Sequence, residues 1–223
     1  MKNQNINTSI NTLHKKSKVD TRLLPGFDHL IQAWIKVHQQ YFQPQDRETS
    51  FPYQERPQVS LLGTAAFFCN GISLQEWPLD KGSKRKGRND LWLRLKSQSQ
   101  THDYFIEAKH NWIGLENKTF KRLKKLVDSA TKSADKIPSE YADKKQRRLA
   151  LAFASLTFPS KELSNSKKGL EKFFSQLDNF SEENGIGGWA AVWVNAASFF
   201  KDKQEGKHTS VGLVMLVKPL DGL

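Results

Sequence analysis

Apolar residues along the chain change period several times, and each change marks an element. Leu30, Ile31, Trp34, Val37 and Tyr41 recur at steps of three and four, with His38 on the same face. That is the stripe of a helix opened by Pro25-Gly26 and ended by Pro44. After a polar loop to Pro57, Val59–Cys69 is apolar nearly throughout and closes on Asn70-Gly71, which predicts a helix buried on most sides. The step then shortens to two. Ile72–Leu79, Asp90–Lys96 and Asp103–Lys109 read as strands, and in the second Leu91, Leu93 and Leu95 alternate with Trp92 and Arg94. Phe120, Leu123, Val127, Ala130, Ala134 and Ile137 restore the helical step. Leu149–Leu156 is almost wholly apolar, as a central strand buried on both faces requires. Leu170, Phe173, Phe174, Leu177 and Phe180 outline a further helix, and Trp189–Ala196 and Ser210–Lys218 close the chain as strands.

Helix, three strands, helix, strand, helix and two strands predict an α/β fold, a mixed β-sheet flanked by helices. Residues 1 to about 24 are polar and rich in Asn and Lys, and they read as a flexible arm. With no internal repeat and no linker, residues 25–223 form one domain, its core at about 59–156 with a C-terminal helix and strand extension.

Charge narrows the partners. The chain of 223 residues carries 35 Lys and Arg against 23 Asp and Glu, a net charge of +12, which favours a polyanion because neutralised phosphates release counterions. Cys69 is the sole cysteine, which excludes an intrachain disulfide and a thiolate metal cluster, and its apolar setting predicts an inert buried thiol. Met1–Lys18 lacks the apolar segment of a secretory signal. Val59–Cys69, the longest apolar stretch, falls short of the about 20 residues that span a bilayer. A cytoplasmic protein without a membrane partner is the expectation.

Acid-x-Lys triplets occur four times, at Glu107/Lys109, Glu116/Lys118, Asp143/Lys145 and Glu205/Lys207. The last three sit in polar surroundings; only Glu107 and Lys109 fall inside an apolar strand, where side chains two apart share a face. A hairpin centred near Ser99 sets Asp90 opposite Lys109, and Glu107 opposite Trp92 as a diagonal neighbour of Asp90. Two carboxylates and an ammonium then converge, although charge in a sheet interior carries a desolvation cost. Hard oxygen ligands of this kind suit Mg²⁺, with Asp90 and Glu107 as ligands and the Ala108 carbonyl as a further one. Lys109 would stabilise charge developing on a phosphate or help position the attacking water.

Asn89-Asp90, a hairpin, Glu107-Ala108-Lys109 and a following helix resemble the PD-(D/E)XK superfamily of restriction-endonuclease-like nucleases over about Val59 to Leu156. The resemblance implies a restriction-endonuclease-like fold and a Mg²⁺-dependent endonuclease, Mn²⁺ substituting, acting on DNA ahead of RNA. Asp90 and Glu107 would be the metal ligands and Lys109 the catalytic helper. Asn89 stands where the motif has proline, and the helix before the first strand offers no acid, for which Glu76 on the first strand is the candidate substitute. No Gln-x-x-x-Tyr follows Lys109, which separates the chain from the RecB-like branch.

Lys84, Arg85, Lys86 and Arg88 precede Asp90 in a Gly-flanked loop and are the expected phosphate contacts, positioning nucleic acid without reading sequence. Lys118, Lys121, Arg122, Lys124 and Lys125 read as a solvated helix face, His110 as strand-end surface, Trp112 as rim packing and Gly185, Gly187 and Gly188 as a turn. No Walker, Ser-His-Asp or zinc-ligand spacing occurs. Two other readings stand beside the nuclease: a nuclease-fold protein that binds nucleic acid without cutting it, and a basic α+β interaction or assembly protein. The oligomeric state stays open, a homodimer included.

Overall fold

The computed structural model describes residues 13–42, 48–78, 88–98, 100–115, 118–138, 146–195 and 207–220. Among these residues seven strands form one mixed sheet: β1 (Leu13–Val19), β2 (Ile72–Pro78), β3 (Arg88–Ser97), β4 (Gln100–Gly114), β5 (Gln146–Pro159), β6 (Gly188–Val194) and β7 (His208–Pro219). Their order across the sheet is β1-β6-β7-β5-β4-β3-β2. Among the described strands only β4 and β5 run parallel, joined by the crossover helix α3 (Thr119–Ala134). The helices α1 (Phe27–Tyr41) and α2 (Glu55–Phe68) cover one face; α3 and α4 (Ser166–Glu183) cover the other. No helix of the described residues is long and apolar enough to cross a membrane.

The sheet sorts side chains by parity. On β4, Tyr104, Ile106 and Ala108 enter the core under α1 and α2, whereas Phe105 packs with Ala130 and Ala134 of α3. Central β5 is buried on both faces, Leu149, Leu151 and Phe153 to one side and Ala152, Ala154 and Leu156 to the other, as its unbroken apolar run predicts. Gly26, at φ 80, opens α1 where an added Cβ would stand 3.1 Å from the Lys96 carbonyl. Gly63 lets α2 lie close on β2, and Ser73 Oγ donates to its carbonyl at 3.1 Å.

Several expectations need correction. The N-terminal arm is not polar coil to residue 24. Leu13–Val19 pairs antiparallel with β6, and Leu24 is fully buried. Lys15, Lys16 and Lys18 give this edge strand the polarity that hides it from a search for alternation, and such charges guard exposed edges. The second helix begins at Glu55, four residues before Val59, because Pro57 sits in its first turn, where a missing N–H leaves no helical bond unmade. Nor is that helix buried on most sides: Phe67 and Phe68 are 62 % and 59 % exposed. Cys69 is half-buried, and its Sγ donates to the Ala66 carbonyl at 3.3 Å.

The β3–β4 hairpin turns earlier than expected. Ser97 pairs with Gln100 and Gln98 takes φ 53, a tight two-residue connection of the kind that matches strand twist. The ladder therefore runs through Leu91↔Ile106, and one further step puts Asp90 opposite Glu107 rather than opposite Lys109. A slip of two residues leaves every side chain on its expected face, whereas a slip of one would have reversed them all.

Candidate active site

Pairing between β3 and β4 reaches only Leu91↔Ile106, while β4 continues along β5 to Gly114↔Thr157. From Glu107 onward β4 thus presents amides that its β5 partner does not use. Carboxylates meet them. Ala108 N–H donates to Asp90 Oδ2 at 2.7 Å, and the His110 N–H favours the charged form of the Glu55 carboxyl. Asp90 comes from the start of β3, and Glu55 from the first turn of α2. Lys109 Nζ lies 3.4 Å from Glu55 Oε2 and donates to the Ala108 carbonyl at 2.6 Å. The Ala108 oxygen, expected as an extra metal ligand, is therefore taken by Lys109.

Electrostatics in this gap are strained by excess negative charge. The half-buried Glu107 carboxyl is pushed up to about 8, first by burial and then by the charge of Asp90, to which it is hydrogen-bonded; Lys109 opposes the rise. Burial also raises Glu55, Lys109 pulls it back, and Asp90 adds to the rise. Three acids thus act on one another, and among the described residues Lys109 is the cation that opposes them. Among the described residues no three His, Cys, Asp or Glu side chains stand close enough, as they lie, to hold a metal ion.

Asp90, Glu107 and Lys109 are brought together as expected from face parity. Glu76 is not: it sits on edge strand β2 at φ 52, its carboxylate 3.9 Å from Arg56 at a largely exposed ion pair. The helix before β2, expected to carry no acid, begins with Glu55. Its signal was Pro57, since proline within a first turn marks a helix start a few residues upstream. Arg88 is exposed at the beginning of β3, two residues before Asp90, while Lys84, Arg85 and Lys86 lie outside the described residues. Asn89, in the place of the motif's proline, is fully buried with neither side-chain amide atom partnered among the described residues, an arrangement that costs about 1–3 kcal/mol per lone polar group.

His110 is held firmly. Ser155 Oγ donates to the Phe51 carbonyl, so it accepts from His110 Nε2–H at 2.8 Å. Burial lowers this imidazole to about 4 and keeps it neutral at physiological pH. Its ring stands edge-on to Trp112 at 4.8 Å. Comparison with protein-family models, with curated proteins and with solved structures gives no match to this chain.

Proposed function

We propose that this chain is a PD-(D/E)XK-type nuclease with a restriction-endonuclease-like fold, hydrolysing phosphodiester bonds in nucleic acid, DNA ahead of RNA, with Mg²⁺ or Mn²⁺. The observation that carries the reading is the Asp90–Glu107 carboxyl pair with Lys109 on the same strand, at the gap where β3 leaves β4. Glu55 supports it by supplying the acid from the helix before the first strand.

The donor set fits a divalent cation. Mg²⁺ takes one or two protein carboxylates and fills its other positions with water and phosphate oxygens, so it needs no closed cage. Glu107 and the Asp90 oxygen not engaged by Ala108 would hold it, and their mutual repulsion is what a cation relieves. When bound, such an ion polarises the phosphoryl oxygen and acidifies a bound water. Lys109, tethered by Glu55, would stabilise charge growing on the phosphate. Arg88, with Lys84, Arg85 and Lys86, would fix the backbone.

A second reading rests on one observation: Asp90 satisfies an edge amide of β4, a purely structural service. The nucleic-acid binder without activity is that reading. Cleavage of plasmid DNA and of RNA with Mg²⁺, Mn²⁺, Ca²⁺ or EDTA separates the two. The expectation is turnover with Mg²⁺ or Mn²⁺ only, and for Lys109→Ala a loss on the order of 10²-fold or more in single-turnover rate with affinity little changed. Cleavage that persists in EDTA, or Lys109→Ala cutting like wild type, overturns the assignment.

A further inference from the structure

Beyond the acid cluster, β4 runs into a cavity of about 740 Å³ at its C-terminal end, bordered by Tyr53, Trp112, Arg122 and His208 together with Glu48 and Gly114. We propose that this cavity receives an unpaired nucleobase, so that the substrate of the nuclease reading, on which this rests, carries a single-stranded segment beside the cut phosphate.

Position comes first. Trp112 follows Glu107 by five residues on one strand, roughly 16 Å at the rise of a β-strand. Five is an odd step, so Trp112 faces the other side of β4 from Glu107, and a chain lying across the carboxylates reaches the cavity within a few nucleotides by rounding the edge of β4 that β3 leaves open beyond Ile106. His110 stands between the two places: it follows Lys109 on β4, and its ring buttresses Trp112.

The walls suit a base. Trp112 is 45 % and Tyr53 39 % exposed, and neither ring is loose. Trp112 leans on His110, which Ser155 and the Phe51 carbonyl pin; Tyr53 packs edge-on against Tyr41 at 5.7 Å and shares a hydroxyl contact with it. Rigid, half-exposed aromatic faces are what base stacking requires, and they accept any base because every base has a π-face. Arg122, exposed on α3, and His208, exposed at the start of β7, supply donors for the flanking phosphate. Glu48 would repel a phosphate but can accept from an exocyclic amine. The volume lies within the range of ligand sites and accommodates a base with its sugar. Paired bases offer only their edges to a protein, so a stacking cavity selects bases outside a duplex.

The test is fluorescence anisotropy in EDTA with three labelled ligands of equal length: a single-stranded oligonucleotide, its duplex, and a strand of abasic sugar-phosphates. Wild type should bind the single strand more tightly than the abasic strand. Trp112→Ala should weaken single-strand binding about fivefold or more, the low end for one stacked base, and leave abasic binding unchanged. Trp112→Phe should retain most of the affinity, which separates stacking from misfolding. Equal binding of the single strand by wild type and Trp112→Ala overturns the subsite, as does an equal loss on the abasic strand. The nuclease reading fails separately: if wild type cuts nothing with Mg²⁺ or Mn²⁺ yet the Trp112 effect persists, the base site stands and the catalytic assignment falls.

Discussion

Replacing Glu107 by Gln removes the charge that the site tolerates least while keeping a donor for Asp90. A carboxyl raised from 4.5 to about 8 corresponds to a ceiling of about 5 kcal/mol, at ~1.36 kcal/mol per pH unit. Glu107 is only half-buried, and solvent screening reduces this to roughly 1–3 kcal/mol. Between pH 4.5 and about 8 the folded chain holds a proton that the unfolded chain has already released. The stabilisation from the protonated acid is therefore complete below pH 4.5 and lost as pH rises through about 8. Glu107→Gln, which cannot ionise, escapes that loss. Its Tm should match wild type at pH 5 and exceed it at pH 9 by on the order of 5 °C, read by calorimetry in EDTA. Mg²⁺ at the higher pH should narrow the difference by stabilising wild type alone, and the variant should not cleave. A Tm difference of the same size at both pH values, or a variant less stable at pH 9, would refute the charge-crowding argument.

Glu55→Gln breaks the ion pair to Lys109 and should lower the single-turnover rate about tenfold with little change in affinity, as loss of a residue that orients a catalytic group does; an unchanged rate removes Glu55 from the site. Reversing Lys84, Arg85, Lys86 and Arg88 to Glu should weaken binding to all sequences and reduce the slope of log affinity against log salt by about one for each phosphate no longer neutralised, measured by gel-shift titration. Deleting residues 1–19 uncovers β6 and removes the buried Leu13, worth about 2 kcal/mol, so Tm should drop by about 4–8 °C, whereas a mobile arm would leave it unchanged.

Period and parity carried most of what was legible in the sequence. The face shared by Asp90, Glu107 and Lys109 followed from steps of two, and it survived a register error because the error was itself two residues. Register depends on where the turn closes, and neither Gln98 at positive φ nor the Ser97↔Gln100 pair is marked by the glycine or asparagine that usually announces such a turn. Glu55 escaped notice because Pro57 resembles the end of a loop as much as the start of a helix. Glu76, by contrast, has a position in sequence that suits the missing acid but a backbone kink and an Arg56 partner that take it elsewhere. The exposed phenylalanines at the end of α2 escaped for a further reason: an apolar run reveals composition, and only the edge position of β2 determines how little covers it.

Pairing of β1 with β6 has a kinetic consequence. Lys18 lies opposite Trp189, so β1 finds its neighbour only after the long intervening stretch of chain has been made. Loop-closure entropy makes such a distant pairing late, whereas β3 and β4 join across two residues and can nucleate early. Until β6 appears, β1 has an open ladder on both edges, and its three lysines keep that ladder from capturing other nascent strands. The half of the sheet that bears Asp90 and Glu107 can thus assemble before the molecule closes at its other margin.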